Sequence, residues 1–278
     1  MIFLLLAILS SSTISILMRV SSNRISANFS MLAVNYLVCA FLGAAYAGFS
    51  PVMPEHPVFP LTMWLGILSG VLYLGGFVLI QYNTRKKGIV LTSVFTKLGL
   101  LVPVVMSMLV FREMPTVSQI AGFCIALLAI VLINLKKERS GENFGAGLIL
   151  MLLLCGGSDA MAKVFERFGS ADLSESYLFC TFASAFVLCA GLVLYEKERP
   201  GFREILFGSL IGIPNFFSAK FLLGALTSLP AVVVFPSFSV ATLLIVTLAG
   251  IAVFRERLSK VQWVALAAIV LALIFLNI

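Results

Sequence analysis

Charge is what this 278-residue chain has least of: only 11% of its residues are Asp, Glu, Lys or Arg. Histidine occurs once, as His56, in a stretch read as an external loop. The five cysteines (Cys39, Cys124, Cys155, Cys180 and Cys189) all lie in apolar stretches without metal-ligand spacing. They read as small apolar packing residues. HExxH, a nucleophile elbow and paired carboxylates inside the apolar stretches are all missing. These absences argue against an enzyme, a metal site and a cofactor. No hydrophilic stretch is long enough for a soluble domain.

What is present is hydrocarbon. Hydrophobic residues make up 61% of the chain and the mean hydropathy is +1.11, outside the soluble globular range. Apolar runs of roughly 18–25 residues recur, each able to cross a hydrocarbon layer about 30 Å thick. Only helices and closed barrels satisfy their backbone in that solvent, and these runs lack the alternation of barrel strands. The expectation is an all-α, polytopic membrane protein. Ten spans are expected, at about 2–19, 29–49, 61–82, 88–111, 116–135, 144–163, 173–195, 204–224, 230–254 and 260–277. The first twenty residues lack a basic lead-in and read as a retained span. The net charge of +7 comes from residues in short loops, so nucleic acid is not an expected partner; the lipid bilayer is.

The chain is written twice. At an offset of 143, Gly88–Leu135 aligns without a gap on Ala231–Ile278. VFRE at Val110–Glu113 falls on VFRE at Val253–Glu256, Gln119 on Gln262 and Asn134 on Asn277. Two repeats of five helices are expected, 1–137 and 142–278. Five is odd, so the second copy enters the membrane inverted. The loop charges agree. The loops after spans 1, 3, 5, 7 and 9 carry Arg19 and Arg24; Arg85, Lys86 and Lys87; Lys136, Lys137 and Arg139; Lys197, Arg199 and Arg203; Arg255, Arg257 and Lys260. The opposite loops carry Arg112 and Arg167 alone, and Lys97, Lys163 and Lys220 fall inside spans. Basic loops stay in the cytoplasm, which places both termini outside.

These residues resemble the drug/metabolite transporter superfamily, and within it the ten-helix EamA-type members. The pattern is a fourth span with a mid-helix proline, a Phe-x-Glu end and a following apolar helix. It reads LLVPVVMSMLVFREMPTVSQIAGFCIALLAIVLI here, with Pro103 and Glu113, and LLIVTLAGIAVFRERLSKVQWVALAAIVLALIFL in the second copy, with Glu256. The sequence departs from the pattern at Val246, which stands where a second Pro103 would be, while Pro236 lies earlier, opposite Ser93. Many members are drawn with cytoplasmic termini, the reverse of the charges here. The resemblance implies transport, with a substrate drawn from amino acids, sugars, nucleotide-linked sugars, amines or drugs.

Inverted repeats place the substrate near the midplane, where equivalent helices meet. Lys97 lies roughly 14 Å into span 4 at 1.5 Å per residue, too deep to reach either interface. A charge there costs at least about 2.5–3.5 kcal/mol, so Lys97 is expected to face the interior and to favour a carboxylate or phosphate, with a structural ion pair as the alternative. Tyr73 (in GVLY) and Asn215 (in GIPN, after Pro214) occupy equivalent positions at the same depth. Asn35 and Tyr36 lie shallower. All four are substrate-binding candidates, with packing or helix–helix hydrogen bonding as the other reading. Asp159, about 22 Å along span 6, is expected to pair with Lys220 or Lys163 as a gate, a proton-coupling group or a static ion pair. Glu113 and Glu256 read as structural carboxylates, each at the N-terminus of the next helix and paired with a neighbouring arginine. Trp64, Phe95, Phe216, Phe217, Phe235 and Phe238 read as core, and alternatively as an aromatic box for an amine.

The expectation is a secondary transporter, monomeric or homodimeric, for a small polar solute such as an amino acid. It works by alternating access, driven by the solute gradient or by protons. Spans 5 and 10 serve as peripheral packing. The alternatives are an organic-cation or drug transporter with an aromatic site, or a non-transporting membrane module.

Overall fold

The computed structural model describes residues 1–22, 24–87, 89–134, 146–253 and 259–278. Every regular element among them is helical. The helices are α1 (Ile2–Ser21), α2 (Asn28–Tyr46), α3 (Phe59–Lys87), α4 (Ile89–Leu98), α5 (Leu101–Leu109), α6 (Val117–Asn134), α7 (Ala146–Phe168), α8 (Ser174–Tyr195), α9 (Phe202–Leu226), α10 (Ala231–Ala252) and α11 (Lys260–Asn277). A 3-10 turn, Ala171–Leu173, leads into α8. Nine stretches among the described residues are long and apolar enough to span a membrane, α4 and α5 together making one, and the apolar part of α6 is slightly shorter. The chain is an all-α, multi-pass membrane protein. Large apolar side chains such as Leu5, Leu9, Leu37, Phe41, Leu61 and Leu68 lie exposed, as a lipid-facing surface requires.

Two features within the spans were not legible in the pattern. The fourth span is broken: α4 stops at Leu98 and α5 starts at Leu101. Pro103 has no N–H to offer the carbonyl of Gly99, and Val102 donates to it instead at 3.0 Å, which tightens the turn. The copy-related α10 carries Thr242 and Val246 in those columns and runs on unbroken. The other feature explains a repeated column. Gln262 closes a capping box at the start of α11: its backbone N–H donates to Ser259 Oγ (3.3 Å) and its Oε1 accepts from Ser259 N (2.9 Å). Gln119 and Thr116 do the same for α6, at 3.3 and 3.1 Å.

The helices form two compact units, each drawing on both halves of the sequence. The first comprises Met1–Leu74 with Met161–Ser228, the second Gly75–Ala160 with Leu229–Ile278. α3 and α7 contribute to both.

In the first unit, α2 packs on α8 and α9, and α1 on α9. Two glycine pairs make the closest approaches. A Cβ on Gly208 would meet the Met31 carbonyl at 2.6 Å, and one on Gly212 would meet Val38 at 2.8 Å. Gly66 and Gly70 of α3 meet Cys180 and Ser184 of α8 in the same manner. Small residues four apart let backbones touch where lipid supplies no hydrophobic drive. Both of these contacts are parallel. The α2–α8 contact is antiparallel, with Gly43 on Phe179 at one end and Ser30 N donating to Glu198 at the other.

In the second unit, α6 lies along α11, with Gly122 near the start of one against Ala272 and Leu276 near the end of the other. α10 packs on α5, α6 and α11. The start of α10 adjoins the end of α5, so these two also run antiparallel.

Candidate functional site

In the first unit, the small residues that bring α9 onto α2 also seat a polar cluster. Asn215 follows Pro214 inside α9, one position from the fully buried Phe216. Its Nδ2 donates to Asn35 Oδ1 at 3.2 Å, and its Oδ1 accepts from the Tyr73 hydroxyl at 3.2 Å. Tyr36 meets Tyr73 edge to face at 6.0 Å, and Phe182 takes the other side of Tyr73 at 6.1 Å. Cys39 Sγ donates to the Gly212 carbonyl at 3.2 Å. Asn35, Tyr36 and Asn215 are buried and Tyr73 is half-buried. Four of the five expected binding residues therefore share one place. The copy-related pair, Tyr73 and Asn215, bond to each other. The cluster is uncharged, and it presents amide and phenol groups that can trade partners.

The fifth, Lys97, belongs to the second unit. It sits on the last turn of α4, two residues before the break at Gly99. A Cβ added to Gly99 would lie 3.2 Å from Gly156 N, so α4 and α7 touch backbone to backbone there. Asp159 is one turn beyond Gly156. That contact brings Lys97 and Asp159, both half-buried, near enough to feel each other's charge, without an ion pair between them among the described residues.

The expected partners of Asp159 are engaged by other carboxylates. Lys163 is held by Glu166 at 2.7 Å and Lys220 by Glu175 at 2.8 Å, all in the first unit. Lys220 Nζ also stands 3.8 Å from the centroid of the Tyr46 ring. Depth counted along straight helices set Asp159 level with Lys220, but the break in span 4 and the glycine contact decide which helices meet. Glu175 escaped notice because it opens a helix and reads as a loop charge.

Glu113 serves a helix end, the start of α10. Its Oε2 accepts from Ala231 N at 2.8 Å, capping α10, the copy-related partner of its own span. Glu256 lies outside the described residues. Glu198, in the basic loop after α8, and Glu204, in the first turn of α9, went unassigned from sequence. They take the Ser30 and Ser26 amides at 2.7 and 3.1 Å and so serve the N-terminus of α2. Of the aromatic-box candidates, Phe216 and Phe217 are in ring contact, at 5.6 Å. Trp64 is exposed and Phe235 is fully buried.

Comparison with known proteins identifies the first copy. Residues 1–135 match the EamA-like transporter family. The first copy is similar to that family, which supports a membrane transporter. An uncharacterized protein of Haemophilus influenzae is 23% identical over 95% of this chain and 93% of its own length. An uncharacterized transporter of Helicobacter pylori is 28% identical over 61% of this chain and 57% of its own. A protein of known crystal structure superposes with a TM-score of 0.74, covering 99% of this chain and 94% of that one at 17% identity. That likeness speaks to the fold.

Proposed function

We propose that this EamA-type transporter moves a small polar solute carrying a carboxylate or zwitterionic group, an amino acid being the first choice, by alternating access in the cytoplasmic membrane. The observation that carries the reading is Lys97, half-buried at the break of span 4 with Asp159 as its facing charge. Broken spans expose backbone to a cavity rather than to lipid, and a lysine beside one is suited to an anionic group. Asp159 then alternates between Lys97 and a proton or the solute's ammonium. The Asn35–Asn215–Tyr73 cluster with Tyr36 supplies neutral hydrogen bonds, and Lys163 and Lys220 with their glutamates act as outer gate groups.

Two inverted copies, 1–137 and 142–278, are part of the proposal. The antiparallel course of the copy-related pairs α2/α8, α5/α10 and α6/α11 supports them. The working form is a monomer or homodimer.

Proteoliposome uptake of size-matched zwitterionic, anionic and cationic solutes tests the reading. Lys97→Ala should insert normally and lose roughly tenfold or more of carboxylate-solute uptake, the scale of one hydrogen bond to a charged group, about 1.5–3 kcal/mol. Unchanged uptake removes Lys97 from the site, and preference for the cationic member overturns the substrate class.

A further inference from the structure

The first unit holds a second polar feature, a cleft at the ion pairs that the transport reading uses only as gate groups. A cleft of about 230 Å³ opens where α1 begins, α7 ends, α8 begins and α9 ends. Its walls are mostly apolar, with Phe3, Phe165, Leu178 and Phe221 among them. Its charged lining is Glu166, Glu175 and Lys220. Each carboxylate has one lysine, Lys220 from within the lining and Lys163 from behind it, where it holds Glu166 at 2.7 Å.

The ion pairs are arranged so that each carboxylate keeps an oxygen in reserve. Lys163 takes Oε2 of Glu166, and Lys220 takes Oε1 of Glu175. The other oxygen of each accepts no hydrogen bond among the described residues. Lys220 is further drawn off by Tyr46, whose ring face it covers at 3.8 Å. Behind that ring the aromatics run on toward the cleft: Tyr46 meets Phe217, Phe217 stacks on Phe221 at 5.6 Å, and Phe221 stacks on Phe3 at 6.3 Å. The cavity therefore combines two carboxylate oxygens open to a donor with apolar walls and a lysine already engaged by Glu175 and Tyr46.

We propose that this cleft binds a small amphipathic organic cation. Its protonated amine is taken by the reserve oxygens of Glu166 and Glu175, and its apolar or aromatic part lies against Phe3, Phe165 and Phe221. A carboxylate-bearing ligand fits poorly, because it would meet two like charges and would have to displace Glu175 from Lys220. At about 230 Å³ the cleft lies below the range of drug-sized pockets, which runs from about 300 Å³, so the occupant is a compact amine rather than a bulky drug. The inference does not depend on the identity of the solute proposed above.

The test is equilibrium binding to the purified full chain in nanodiscs. It uses 2-phenylethylamine as the cationic probe, 2-phenylethanol as its neutral counterpart and phenylacetate as its anionic one. The amine should bind at least about tenfold more tightly than either counterpart, a difference of about 1.4 kcal/mol. Glu175→Gln and Glu166→Gln should each weaken amine binding severalfold. Lys220→Gln frees Glu175 of its partner and should strengthen amine binding, a gain that misfolding cannot imitate. Equal binding of the three probes, no binding of the amine by the unaltered chain, or weaker binding in Lys220→Gln overturns the proposal.

Discussion

At the residue scale, the hydrogen bond between Tyr73 and Asn215 joins two positions that the repeat makes equivalent. Asn215 bonds in both directions, so its loss removes one hydrogen bond from Asn35 and one from Tyr73. A buried amide left without its partner costs about 1–3 kcal/mol, whereas removing a single neutral bond costs about 0.5–1.5 kcal/mol. Asn215→Leu is therefore expected to lower the unfolding temperature in detergent more than Tyr73→Phe does. If the cluster handles solute, Tyr73→Phe will change transport more than stability; a thermal-shift measurement beside an uptake assay separates the two. Asn35, Tyr36, Tyr73 and Asn215 were recognisable in the sequence because polar groups stand out against hydrocarbon and because the repeat aligned two of them. Their mutual bonding was not legible, since which faces of α2, α3 and α9 meet depends on glycines whose neighbours lie elsewhere in the chain.

At the element scale, glycine decides which helices touch. Gly156 of α7 lies so close to α4 and α5 that a Cβ would fall on the carbonyl of Gly99 and on Val102. Backbone cannot swing aside as a long side chain can, so overpacking here costs about 1–3 kcal/mol or more. Gly156→Ala should lower stability by that amount and also impair function by separating Lys97 from Asp159. Gly191, with nothing within 4 Å, is the control whose alanine variant should behave as the unaltered protein. A Gly156→Ala variant of normal stability and activity would show that the close contact is dispensable. The break between α4 and α5 belongs to this scale too. Pro103 was visible in the sequence, yet Pro214 and Pro236 sit in helices that continue. The combination of Gly99, Pro103 and the approach of Gly156 makes the difference.

At the scale of the whole molecule, the distribution of basic residues carries the prediction. Both termini should lie outside the cell, so tags fused at Met1 and Ile278 should be open to added protease in intact cells. A site introduced at Thr84, beside Arg85 and Lys86, should be protected. The reverse pattern would turn the transporter over in the membrane and would place the proposed amine cleft on the cytoplasmic side.

The sequence alone determined that the chain is a helical membrane protein with a repeated plan, because lipid penalises unpaired backbone and buried charge severely enough to leave a linear trace. It also marked Lys97 and Asp159 as exceptional. Only the tertiary structure decided their partnership, the duties of Glu113, Glu175, Glu198 and Glu204, and the placing of Lys220 against Tyr46. Those depend on which helices approach within a few ångströms, and that is governed by small residues and a broken span acting across the chain rather than along it.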